Sequence, residues 1–122
     1  MAPICALLVD DNGDFLDAAE RLLSVTGDVA VIGRATSAID AFEQVNRLNP
    51  DLVLMDWSMP GMSGLEATRY LKSWTTPPLV VLVTVHDAPR YRVAAQEAGA
   101  DGFVPKSEVH TQLVALLRRL CE

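Results

Sequence analysis

The sequence predicts an α/β fold in which five parallel strands alternate with five helices. Three observations predict it. Short apolar runs recur along the chain, and each is followed by a stretch whose apolar residues keep helical spacing. The runs are apolar throughout rather than alternating, which marks strands buried on both faces of a parallel sheet. The 122 residues suit one domain, and half of them are hydrophobic, enough for a core without disulfides or metal staples.

The elements follow in order. Ile4 to Val9 is a compact apolar run that stops at Asp10-Asp11. Phe15, Leu16, Ala19, Leu22 and Leu23 then share a helical face. Val29 to Gly33 reads as the second strand. Ala41, Phe42, Val45 and Leu48 give the second helix, with Ser37 and Asp40 in capping-box spacing before it and Asn49-Pro50 stopping it. Leu52 to Met55 is the third strand. Ser63 and Glu66 repeat the capping pattern ahead of Leu65, Ala67, Leu71 and Trp74, and Pro77-Pro78 breaks that helix. Leu79 to Val83, rich in valine, is the most strand-like segment. Asp87 is placed to cap a fourth helix with Pro89 in its first turn, running through Val93, Ala94 and Ala98 to Gly99. Phe103-Val104 belongs to a short fifth strand. Ser107 is placed to cap the last helix, which buries Val109, Leu113, Leu116, Leu117 and Leu120. No linker, repeat or low-complexity segment interrupts this rhythm, so residues 1–122 read as one domain without an effector domain.

Composition narrows the function. Sixteen acidic residues against ten basic ones give a formal net charge of −6, a surface that repels a phosphate backbone, so direct nucleic-acid binding by this segment is not expected. No apolar run is long enough to cross a bilayer, and Met1-Ala2-Pro3 lacks the basic region of a signal peptide; a cytoplasmic protein is expected. Cys5 inside an apolar run and Cys121 at the penultimate position read as one buried and one terminal thiol, not a disulfide.

Chemistry gathers at the strand ends. Strand one ends in Asp10-Asp11, strand three in Asp56, strand four in Thr84, and strand five in Lys106 after Pro105. Right-handed crossovers bring these ends to one edge of the sheet, where ligands bind in such folds. Singly, the acids read as helix caps or turn residues, Thr84 as a β-former and Lys106 as a solvated charge. Together they form a site. Three crowded carboxylates require a cation. An all-oxygen donor set that leaves room for water suits Mg2+. A carboxylate beside Mg2+ can attack phosphorus, in a reaction dominated by positioning and charge neutralisation. His86 and His110 read as surface histidines, Trp57 as a flank of the pocket, Trp74 as a packer at a helix end, and Arg118-Arg119 as helix-dipole partners.

Leu8-Val9-Asp10-Asp11, Asp51 to Asp56, Met59-Pro60-Gly61-Met62-Ser63-Gly64-Leu65-Glu66, Val83-Thr84, Ala98 to Phe103 and Lys106 carry a resemblance that spans essentially the whole chain. On them the chain resembles the receiver domains of two-component response regulators. The resemblance implies a flavodoxin-like (βα)5 three-layer sandwich with strand order 2-1-3-4-5. It implies that Asp56 is the phosphoacceptor, that Asp11 and Asp56 ligate Mg2+ together with the backbone carbonyl of Ser58, and that Asp10 acts through a metal-bound water. Thr84 and Lys106 would read the phosphoryl group, and Phe103 occupies the place of the aromatic switch. It also implies a sensor histidine kinase as partner, a homodimer on phosphorylation, and a signalling role rather than an enzymatic one.

Gly102-Phe103-Val104-Pro105-Lys106-Ser107 looks closest to the branch that carries LuxR-type helix-turn-helix output domains, so the chain reads either as a stand-alone receiver or as the receiver of a longer protein with a DNA-binding output domain. Two positions depart from the family pattern. Ser107 stands where proline usually follows the lysine, which puts the usual cis peptide there in question. Val85 stands where a small residue usually follows the threonine. A phosphatase of the haloacid-dehalogenase type would want an Asp at position 58, where the chain has Ser58. A flavin domain of the same topology would want a phosphate loop where Asp10-Asp11-Asn12-Gly13 stands. A degenerate receiver used only as an interaction module is the remaining alternative.

Overall fold

The computed structural model describes residues 2–121. Its elements run β1 (Ile4–Val9), α1 (Gly13–Ser24), β2 (Val29–Ala35), α2 (Ala38–Leu48), β3 (Leu52–Asp56), α3 (Gly64–Lys72), β4 (Leu79–Thr84), α4 (Pro89–Glu97), β5 (Gly102–Pro105) and α5 (Val109–Leu120). The five strands form one parallel sheet of order β2-β1-β3-β4-β5. Alternate residues of each strand point to opposite faces, and both faces are covered. Ala6, Leu8, Leu54, Val81 and Val83 pack with α1 and α5, through Leu16, Leu23, Leu113 and Leu117. Leu7, Val9, Val53, Met55 and Leu82 pack on the other face with α2, α3 and α4, through Ala41, Val45, Leu71 and Ala95. The predicted three-layer sandwich and its strand order are thus present.

The helix ends show which local signals hold. Ser37 accepts from the Asp40 amide at 3.1 Å, although the Asp40 carboxylate turns to Gln44 rather than back to the cap. Asn49 closes α2 in the left-handed region, φ 50°, a conformation that asparagine tolerates better than most residues. Ser63 caps α3 through the Glu66 amide. Helix α3 ends at Lys72, before Trp74. Two expected caps are absent. The N-cap of α4 is Ala88, without a side-chain bond, because the Asp87 carboxylate lies 3.4 Å from the Arg92 guanidinium instead. Ser107 does not cap α5. It lies inside a single 3-10 turn, Lys106–Glu108, that carries the chain from the sheet edge into the helix without a side-chain cap. No peptide bond is cis among the described residues.

One polar knot fastens the far side of the sheet. Lys72 Nζ donates to Asp101 Oδ2 at 2.8 Å and to the Pro78 carbonyl at 3.0 Å, while the Val80 amide donates to the same Asp101 oxygen at 2.8 Å. Partial burial makes this tie firmer than a surface ion pair. By contrast, Arg118 meets Asp28 at 2.7 Å with both side chains about half exposed.

Helix α3 presses close to the end of β3. The Gly64 amide donates to the Trp57 carbonyl at 2.7 Å, and a Cβ at Gly64 would lie 1.9 Å from the Asp56 carbonyl oxygen. Backbone cannot yield as a side chain can. Gly64→Ala should therefore lower stability by about 2 kcal/mol or more, whereas Gly13→Ala, with nothing within 4 Å of the added carbon, should be close to neutral. Urea melts of the two variants check this, and equal midpoints would contradict the close approach.

Candidate functional site

The residues predicted at the strand ends meet at the carboxyl edge of β1, β3, β4 and β5. Asp10 follows β1 and is held there by its amide, which donates to the Ala35 carbonyl at 3.0 Å. Asp56 is the last residue of β3, and the Trp57 amide fixes the next step of the chain to the Val83 carbonyl at 2.9 Å. Asp10 and Asp56 are almost fully buried, whereas Asp11 is exposed. One carboxylate oxygen from each of Asp10, Asp11 and Asp56 lies within 4.8 Å of the others, a pocket that could hold a metal ion.

Lys106 enters from the 3-10 turn after β5. Its ammonium stands 2.8 Å from Asp10 Oδ2 and 3.3 Å from Asp56 Oδ1. The closer approach has charge contact without hydrogen-bond alignment, so Asp10 Oδ2 is a buried oxygen with no hydrogen-bond partner. The other oxygen, Oδ1, accepts from the Asn12 amide at 2.9 Å. A buried carboxylate oxygen is costly unless a cation or water serves it, and here the Lys106 ammonium does so by charge alone.

The electrostatics follow from this crowding. Burial, reinforced by the charge of Asp10 and only partly offset by Lys106, pushes the Asp56 carboxyl up to about 6. Burial works against the charged form of Lys106, yet Asp10 and Asp56 outweigh it and hold the ammonium above its ordinary value.

Thr84 ends β4, buried, and its Oγ1 accepts from the His86 amide at 3.1 Å. Phe103 is half-buried in β5, with Trp57 edge-on at 6.2 Å and the Arg92 guanidinium 4.7 Å over its ring. Trp57 also meets Tyr91 edge-on at 5.4 Å, and Tyr91 stacks on His86 at 4.6 Å. Phe103 opens onto a groove of about 630 Å³ between α4 and α5, lined also by Arg92, Gln96, Gln112, Leu116 and Arg119. Ser58 lies exposed in the loop after β3, next to the buried Met59. Val85 is 71% exposed and does not fill the site. His86 borders the site, while His110 is exposed on α5.

Two contributors escape the sequence reading. The ring of Phe15, read there only as core, lies 4.5 Å from Lys106 Nζ. Tyr91 joins the aromatic contacts around Trp57. Phe15 in the first turn after an acidic strand end was a usable signal; nothing in the spacing points to Tyr91.

A parallel five-stranded sheet with this acidic edge defines a receiver-type α/β domain. The chain belongs to the response regulator receiver domain family, whose model matches residues 6–118. It is 35% identical over 105 residues to the transcriptional regulatory protein NarL of Mycobacterium tuberculosis, a match covering 86% of this chain and 49% of that protein. The solved signal receiver domain of NarL superposes with a TM-score of 0.91 at 31% identity, covering 98% of this chain and 97% of that one. A LuxR-family two-component response regulator from Aurantimonas sp. SI85-9A1 gives 0.92 at 31% identity, covering 98% and 85%. A protein-glutamate methylesterase/protein-glutamine glutaminase of Pseudomonas fluorescens is 36% identical over 102 residues, covering 83% of this chain and 27% of that one. The chain thus spans about half or less of the length of these curated relatives.

The charge crowding has a measurable cost. A carboxyl whose folded pKa exceeds its unfolded value is destabilising when ionised. That cost is fully present above the folded value, about 6, and fades as pH falls towards the ordinary 3.8. In metal-free buffer at pH 8, Asp56→Asn should therefore be more stable than wild type by on the order of 1–3 kcal/mol. The gap should close as pH falls from about 6 towards 4. Denaturant melts at several pH values test this, and a variant no more stable than wild type at pH 8 would refute the crowding.

Proposed function

We propose that this domain accepts a phosphoryl group on Asp56 from a sensor histidine kinase, with Mg2+, and passes the signal on as a change of surface. The observation that carries the proposal is the constellation around Asp56: a buried strand-end carboxylate, two further carboxylates within 4.8 Å, and an ammonium at 3.3 Å.

The residues fit Mg2+. All donors are oxygens, and Asp10 Oδ2 is buried without a hydrogen-bond partner. Asp11, Asp56 and the Ser58 backbone carbonyl would hold the ion, with Asp10 acting through water. When bound, the ion supplies positive charge against both the carboxylates and the phosphoryl oxygens. Asp56 then acts as nucleophile: a carboxylate oxygen bonds to phosphorus as the bond from phosphorus to the donor's imidazole nitrogen breaks, and the electron pair leaves with the imidazole. Lys106, already 3.3 Å from Asp56, faces a phosphoryl oxygen in the product. The Thr84 hydroxyl accepts from the His86 amide and keeps its own proton to donate. Turning towards the phosphoryl group breaks the His86 contact and vacates space for Phe103.

Phe103 connects this motion to the groove between α4 and α5. That α4–β5–α5 face is proposed to change on phosphorylation and to support a homodimer or a contact with a DNA-binding output domain. Likeness to NarL and to LuxR-family regulators supports such an output domain in a longer protein. The domain itself is proposed to work in the cytoplasm as a signalling module rather than an enzyme, without binding nucleic acid or membrane. Its net charge of −6 opposes contact with a phosphate backbone, and among the described residues no helix is long and apolar enough to cross a membrane.

Incubation with acetyl phosphate and Mg2+ should add the mass of one phosphoryl group, read by intact mass spectrometry. Chelation or Asp56→Asn should abolish the addition. Equal incorporation by Asp56→Asn would remove Asp56 from its role. For the surface change, hydrogen exchange with and without beryllofluoride should differ around Thr84, Phe103, α4 and the start of α5. A difference confined to the neighbourhood of Asp56 would rule out this route.

A further inference from the structure

Four contacts close a ring around the lysine. The Asn12 amide donates to Asp10 Oδ1 at 2.9 Å. The Asn12 side chain caps α1 and accepts from the Phe15 amide at 3.3 Å. The Phe15 ring centroid lies 4.5 Å from Lys106 Nζ. Lys106 Nζ returns to Asp10 Oδ2 at 2.8 Å. The strand end therefore fixes the cap, the cap fixes the backbone of Phe15, and Phe15 presents a ring to the ammonium.

We propose that Phe15 is a positioning residue for Lys106: its ring holds the ammonium by a cation–π contact and aims it at the place of the phosphoryl group. The inference rests on the phosphoacceptor reading of Asp56 and extends it to a residue on α1.

The chemistry favours a ring over a polar partner here. A ring face attracts the cation without taking one of its protons in a directed bond. The three N–H groups of Lys106 then remain free for Asp10, for Asp56 and, after transfer, for a phosphoryl oxygen. A further carboxylate or hydroxyl would hold the ammonium back from that exchange. The ring also packs beside a lysine side chain that is only 20% exposed, which keeps its long stem from sampling solvent rotamers. When Asp56 turns from carboxylate into acyl phosphate, the Lys106–Asp56 contact must be remade, and Phe15 holds the ammonium in place through that change.

The test is a double-mutant cycle read by beryllofluoride affinity, with the fluorescence of Trp57 as the signal and Mg2+ saturating. Phe15→Leu keeps apolar bulk and removes the ring face; it should weaken beryllofluoride binding by about 3- to 10-fold. In a Lys106→Met background the same change should have no further effect, because there is no ammonium to hold. A merely structural role for Phe15 would cost as much in both backgrounds, and that result overturns the proposal. Trifluorophenylalanine at position 15 keeps the ring's shape while weakening its negative face. It should fall between wild type and Phe15→Leu, and it serves if the leucine variant folds poorly. Wild-type affinity in either variant also overturns the proposal while leaving Asp56 as acceptor. If wild type neither binds beryllofluoride nor gains phosphoryl mass, the reading of Asp56 fails and this inference with it.

Discussion

Two carboxylates buried side by side at the ends of adjacent strands are the constraint on which the rest depends. Asp10 and Asp56 are almost out of contact with water, and among the described residues only Lys106 answers them with positive charge. In a medium of low effective dielectric, such a group holds more repulsion than a folded domain normally tolerates. The arrangement persists because the sheet over-determines it. The residues before Asp10 and Asp56 are clamped by strand pairing, and both faces of those strands are packed with leucine, valine and methionine. The hydrophobic core offsets the strain at the edge, which leaves an acidic pocket that could hold a metal ion.

That division of labour explains what was legible in the sequence. The strands are plain because parallel strands buried on both faces must be apolar throughout, as Leu52 to Met55 and Leu79 to Val83 are. The acidic edge is plain because the fold places every strand end on one side, so a short list of residues suffices. The helix starts are less plain. Asp87 and Ser107 have the side chains of caps, yet Asp87 meets Arg92 and Ser107 falls inside a tight turn. A cap depends on backbone direction as well as residue type. Phe15 was masked differently: its helical spacing is that of a core residue, which outweighed its place in the first turn after an acidic strand end, where its ring borders Lys106.

Side-chain ties on the two halves of the sheet are unlike. On the side of α3, Lys72 and Asp101 fasten three segments with charge-assisted bonds that are largely shielded from water. Around α1, Arg34 bridges Asp17 and Glu20 in the open, where screening leaves little net attraction. The shielded tie thus joins the end of α3 to β4 and to the entry of β5, the two strands that carry Thr84 and Phe103.

Helix α4 is the least anchored of the five. It buries only Ala95, starts without a side-chain cap, and turns Arg90, Arg92 and Val93 to solvent. Besides Ala95, its contacts run to the aromatic rings beside the site, Tyr91 to Trp57 and Arg92 to Phe103. Substitutions along its outer surface are therefore close to invisible to folding, and selection can act on them through binding alone. Such a helix is where a lineage of these domains can acquire a different partner by drift without first finding a compensating change in the core, so divergence of specificity should concentrate there while the strands beneath it stand still.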